Sequence, residues 1–122
     1  MAKKVLIVED GQQIQESCTD AMTTGEYDFI TLPSLREAAD MLDADHAVVA
    51  VIIDTNVSDG GLEEACALVR NLQAQDFKGP IVAASSSRSF CQELVDAGCT
   101  HTVDGEKYRI GDELMRALSE IQ

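Results

Sequence analysis

Apolar and polar positions fall into alternating blocks along this chain. Short unbroken apolar runs, Val5-Leu6-Ile7-Val8, Val48-Val49-Ala50-Val51-Ile52-Ile53 and Ile81-Val82-Ala83-Ala84, are separated by longer stretches whose apolar residues recur every three or four positions. Unbroken runs of this length predict strands buried on both faces, and the spaced stretches predict amphipathic helices, so the alternation predicts successive β-α units. After the first run, Ile14, Cys18, Ala21 and Met22 share one face of a helix ending near Gly25. A strand over 27–32 alternates more and is less apolar, which suits a sheet edge. Ser34, with Glu37 three residues on, predicts a capping box opening a helix whose buried stripe is Leu35, Ala38, Ala39 and Leu42.

The Val48 run is the most apolar and is expected at the centre of the sheet. Asp59-Gly60-Gly61 then makes a turn before a helix that carries Leu62, Ala65, Cys66, Val69 and Leu72 inward. Gly79-Pro80 marks the return to a fourth strand over 81–84, which runs into the hydroxyl series Ser85-Ser86-Ser87. Ser89 with Gln92 predicts another capping box for a helix through Phe90, Leu94 and Ala97, closed by Gly98. A short fifth strand over 100–103 precedes a last helix carrying Leu114, Ala117, Leu118 and Ile121. No linker, low-complexity tract or repeat interrupts the pattern, which predicts one doubly wound α/β domain over 1–122.

Composition narrows the function classes. A chain of 122 residues can bury a core without metal or disulfide staples, and 45% hydrophobic with 25% charged residues marks it as globular. The net charge of −13 argues against nucleic-acid binding, which needs clustered Lys and Arg, and suits basic partners and cations. No apolar stretch approaches the roughly 20 residues of a membrane span, and Met1-Ala2-Lys3-Lys4 leads into the first strand without a signal-peptide pattern. A cytoplasmic protein with no membrane contact is expected. Cys18, Cys66, Cys91 and Cys99 have no zinc-type spacing and are expected as reduced core residues. A Cys91–Cys99 disulfide across the predicted helix is the less favoured reading in a reducing compartment. His46 and His101 are isolated and are expected as satisfied or exposed surface imidazoles, without catalytic partners.

Candidate chemistry lies where the apolar runs stop. The first run ends in Glu9-Asp10 and the central one in Asp54. In an open parallel sheet the crevice lies beyond the carboxyl ends of the strands, so if these runs are neighbours three carboxylates converge. Like charges that close repel one another unless a divalent cation neutralises them, and an all-oxygen ligand set suits magnesium better than zinc. Acids that simply end strands at a solvent edge would explain either site alone better than both together.

With Glu9-Asp10 after the first strand, Asp54 after the third, Ser85 after the fourth and a Lys before the last helix, the chain resembles a response-regulator receiver domain. This is the CheY-like phospho-accepting module of two-component signalling, and the likeness runs nearly the whole length. The resemblance implies a flavodoxin-like sheet of order 2-1-3-4-5 with helices on both faces. It also implies Mg2+ held by Glu9, Asp10, Asp54 and the backbone carbonyl of Asn56. Asp54 would take a phosphoryl group from a histidine kinase or histidine phosphotransfer protein, with Ser85 and the Lys reading the phosphate. Phosphoryl transfer asks mainly for in-line positioning and charge neutralisation, which fits this set. The output would pass to a downstream effector protein or an output domain, and the chain would catalyse no more than its own phosphorylation and dephosphorylation.

The position of the Lys depends on the direction of counting. Counting forward from Gly98 places Gly105 at its position, whereas counting back from Leu114 selects Lys107, the reading favoured here. Tyr108 then follows where the family has Pro, and a cis bond there would cost about 2.5 to 4 kcal/mol without proline. The loop Thr55-Asn56-Val57-Ser58-Asp59-Gly60-Gly61 lacks the usual Pro at the Ser58 position, and His101 or Thr102 stands where many receivers carry Tyr or Phe. These departures motivate an alternative, a degenerate receiver that binds a partner without phosphorylation. A third reading, a haloacid-dehalogenase-like phosphatase, is opposed by Asn56 where that family needs a second Asp.

Overall fold

Val5, Leu6, Ile7 and Val8 are all completely buried, as expected of a strand covered on both faces. The computed structural model describes residues 3–9, 27–44, 47–54, 61–84, 88–102 and 116. In chain order these form β1 (Lys3–Val8), β2 (Tyr27–Leu32), α1 (Leu35–Ala44), β3 (Val48–Ile53), α2 (Leu62–Ala74), β4 (Ile81–Ala83), α3 (Arg88–Ala97) and β5 (His101–Thr102). The strands make one parallel sheet of order β2-β1-β3-β4-β5, the doubly wound order expected of a flavodoxin-like fold. The most apolar strand, β3, is central, and the less apolar β2 lies at an edge, only partly buried.

One face of the sheet packs against the described helices. Leu6, Val8, Val51, Ile53, Ile81 and Ala83 meet Leu35, Ala38 and Leu42 of α1, Ala65, Cys66, Leu68, Val69 and Leu72 of α2, and Cys91 and Leu94 of α3. The other face carries Val5, Ile7, Ala50, Ile52, Val82 and Ala84, each completely buried. A β-bulge interrupts the pairing of β1 with β3: Lys4 faces Val48 and Val5 faces Ala50, leaving Val49 as the extra residue. The side-chain alternation flips there, so Val48 joins the helix-covered core while Val49 packs with Ala50 and Ile52. The first and last predicted helices lie outside the described residues, apart from Arg116, which is helical and exposed.

The helix ends test the capping expectations. The hydroxyl of Ser34 accepts the Glu37 amide at 3.1 Å and donates to the Glu37 carboxylate at 2.9 Å, so the predicted cap of α1 is present. At α2 the Gly61 amide donates to the Glu64 carboxylate at 2.9 Å, half of a capping box around an N-cap with no side chain. The Ser89–Gln92 capping box does not form: α3 begins at Arg88, so Ser89 is already inside its first turn, and the Gln92 amide donates to Asp96 instead. A Ser-x-x-Gln spacing occurs inside helices as readily as at their start, and only the register tells them apart.

Both α2 and α3 close with the paired bonds of a Schellman turn. At α3, Gly98 supplies the positive φ of 137° and the Cys99 amide reaches the Leu94 carbonyl at 3.0 Å. At α2 the same position is held by Asp76 at φ 62°, with the Phe77 amide bonded to the Leu72 carbonyl at 3.0 Å. Cys66, Cys91 and Cys99 are free and buried, so no Cys91–Cys99 disulfide staples α3. Cys18 lies outside the described residues.

Candidate functional site at the carboxyl edge of the sheet

The hydrogen-bond ladder continues one residue beyond the strand ends. The Glu9 amide donates to the Leu32 carbonyl at 3.1 Å, the Asp54 amide to Val8 at 3.0 Å, and the Ala84 amide to Ile53 at 2.9 Å. Since Val8 faces Ile53 and Ile53 faces Ala83, the residues that follow, Glu9, Asp54 and Ala84, form one row across β1, β3 and β4. Glu9 and Asp54 are each only 2% exposed. Carboxylates leave water at high cost unless hydrogen bonds or a counter-charge compensate, so two buried acids in one row make this edge the candidate site.

Of the six residues singled out in the sequence, the structure brings Glu9 and Asp54 together; Asp10, Asn56, Ser85 and Lys107 lie outside the described residues. Asp10 is the residue after Glu9, and Ser85 the residue after Ala84. Among the described residues no three His, Cys, Asp or Glu side chains form a metal-binding group. The aligned pair supplies only hard oxygen donors, which fit a hard divalent cation such as magnesium rather than zinc.

Next to β4, the short β5 is held by a contact that sequence reasoning missed. The Thr100 hydroxyl accepts the Ile81 amide at 3.0 Å and lies 3.3 Å from the Ile81 carbonyl, pinning the entry of β5 to the start of β4. The sequence signal was a Thr directly after the helix-closing Gly98-Cys99. The Nδ1 of His101 lies 2.7 Å from the same hydroxyl in an exposed contact, the satisfied imidazole expected from the sequence. Thr102 faces Ala83, and its buried hydroxyl has no hydrogen-bond partner among the described residues. Behind this edge, burial pushes the Cys99 thiol up to about 12, with Cys66 and Cys91 adding to the shift. Burial likewise raises Cys66, against the lowering effect of Arg70.

Among the described residues no helix is long and apolar enough to cross a membrane. No model of a protein family matches the sequence, and no curated protein matches it. Its structure is similar to many solved receiver domains. The CheY-like response regulator receiver domain from Methylobacillus flagellatus superposes with a TM-score of 0.75 at 22% identity, covering 100% of both chains. The CheY-like receiver domain protein from Methanospirillum hungatei gives 0.77 at 14% identity, covering 98% of this chain and 96% of that one. The phosphorylated cyanobacterial phytochrome response regulator RcpA gives 0.75 at 18%, again covering 98% and 96%. From one end to the other, this chain has the fold of CheY-like response-regulator receiver domains.

Proposed function

We propose that this chain is the phospho-accepting receiver of a cytoplasmic two-component pathway, with Asp54 taking a phosphoryl group from a histidine kinase or histidine phosphotransfer protein. The observation that carries this reading is Asp54 itself, a buried carboxylate at the end of the central strand and in one row with Glu9. A carboxylate is a weak nucleophile, and transfer to it rests on positioning and on neutralising the phosphoryl oxygens. Magnesium bound by Glu9, Asp10, Asp54 and the carbonyl of Asn56 would supply that neutralisation. In the transfer the Asp54 oxygen forms the new bond to phosphorus as the bond to the donor nitrogen breaks. Ser85, next in the chain after the row-forming Ala84, would donate to a phosphoryl oxygen, and Lys107 would pair with it. One structural neighbour is itself a phosphorylated response regulator.

The switched surface would be the face near β4 and β5, read by a downstream effector or an attached output domain. The test is incubation of the full chain with a small phosphodonor and magnesium, followed by intact mass. Stable addition of one phosphoryl group supports the receiver. No addition sinks it in favour of the second reading, a degenerate receiver binding its partner unmodified, which Tyr108 in place of Pro favours. Continuous phosphate release with turnover would instead mark a phosphatase.

A further inference from the structure

At the amino-terminal edge of the sheet, the end away from Glu9 and Asp54, the structure holds a cavity of about 690 Å3 between the ends of α1 and α2 and the starts of β3 and β4. That volume lies within the usual range of small-molecule sites. Leu42, Val48, Leu72 and Phe77 give it apolar walls, and the exposed Asp43, Asp76 and Lys78 stand at its rim as charged groups. Three local features border it. The bulge leaves Val49 as the extra residue of β3. The turn closing α2 bonds Phe77 back to Leu72. Gly79 lines the cavity without a side chain, and a Cβ there would collide with the Val49 carbonyl.

The described charges around this groove are mostly negative. Helices α1 and α2 both end at it, and neither carries a basic residue in its last turn, so the negative ends of both dipoles are left without a cation from their own helix. The carboxylates of Asp43 and Asp76 add to them. Lys78 is the one cation among the described lining residues, and its ammonium is bound to Asp76 at 2.7 Å. A chain of net charge −13 reinforces the sign.

We propose that this groove binds a small organic cation, an amine or guanidine carried on an apolar body. The body would lie over the half-buried Phe77 and the edges of Leu42, Val48 and Leu72, while the cation would stand against Asp43, Asp76 and the helix ends. Anions of the same shape are disfavoured by every charge at the rim but Lys78. The site lies at the opposite end of the strands from the acid pair and does not rest on the receiver reading.

The experiment is an amide NMR titration of the full chain at low salt with phenylbutylamine, with phenylbutanol and phenylbutyrate as matched neutral and anionic bodies. Saturable shifts are expected at the end of α1, the start of β3 and residues 72–79, tightest for the amine and absent for the carboxylate. Asp76→Asn keeps a side chain that tolerates positive φ and should weaken the amine on the order of two- to fivefold, as for an exposed ion pair. Lys78→Ala frees the Asp76 carboxylate and should tighten it by a similar factor. Asp54→Asn should leave the amine titration unchanged. Equal binding of the three bodies, weaker amine binding in Lys78→Ala, or loss of the response in Asp54→Asn would each overturn the site.

Discussion

The amide of Asp54 donates to the carbonyl of Val8 at 3.0 Å. This bond carries the β1–β3 ladder one step past the strands, so the chain leaves both at the same level and delivers Glu9 and Asp54 together. Each is 2% exposed, beneath an edge where the apolar runs have just ended. Two acids buried in one row cost a fold more than apolar residues would unless they are compensated, which singles out this edge as the candidate site.

Asp54→Asn keeps the shape and removes the nucleophile. The variant should show no mass gain with phosphodonor and magnesium, while its thermal midpoint stays equal or rises, because one of two neighbouring negative charges is gone. Phosphate still found on the variant would move the acceptor elsewhere, with Asp59 the first residue to map.

Much of this was legible in the sequence because the central strands are apolar on both faces. The runs at 27–32 and 48–53 match β2 and β3 residue for residue, and the acids that end the runs at 5–8 and 48–53 gave Glu9 and Asp54. The bulge at Val49 left no trace, since Val-Val-Ala-Val-Ile-Ile is apolar in either alternation and hides a flip. The end of α2 was hidden too, because Asp76 occupies the left-handed position that Gly98 marks openly at α3. Both silent features border the groove, which surfaced only with the structure. The two-residue β5 offered too few side chains for a period, and its Thr100 bridge is a long-range contact that no local pattern reports.

Magnesium binding should be weak and should compete with protons at the carboxylates. In a magnesium titration followed by amide NMR, Asp10→Asn should lose most of the affinity. Equal affinity in the variant would remove Asp10 from the ligand set.

Lys107→Ala should still accept phosphate at Asp54 but lose the phosphorylation-linked shifts near β4 and β5, because a charge-assisted contact to the phosphoryl oxygen is gone. Lys3, Lys4 and Lys78 substitutions should leave those shifts in place. If Lys107→Ala responds as the parent does, the phosphate is read by another group.

Two glycines should be intolerant for different reasons. At Gly79 an added Cβ meets the Val49 backbone carbonyl, which belongs to the sheet and has little freedom to move. At Gly98 it meets the Gln73 side chain at 2.6 Å, which can swing away at the loss of its 2.8 Å bond to the Gly98 carbonyl, leaving the strain of φ 137°. Each Ala variant should lose about 1 to 3 kcal/mol in urea unfolding, with Gly79→Ala at the upper end. A neutral Gly79→Ala would mean that the bulge relaxes.

Cys99 gives the fold an alkaline limit. Its thiol is 6% exposed, and burial, helped by Cys66 and Cys91, pushes it from 9.0 up to about 12. Below pH 9.0 both the folded and the unfolded chain hold this proton, so its contribution is fully present. Above that the unfolded chain releases the proton while the folded chain keeps it. Stability therefore falls as pH rises toward about 12, at up to about 1.4 kcal/mol per pH unit for this group. Cys66, raised by the same cause, acts in the same direction. Cys99→Ala removes the titrating group and costs some packing, so the parent should be the more stable protein near neutral pH. The gap should narrow steadily when urea unfolding is followed from about pH 8 to about pH 11. Parallel profiles for parent and variant would show that the thiol ionises alike in both states, and that its burial does not hold the proton.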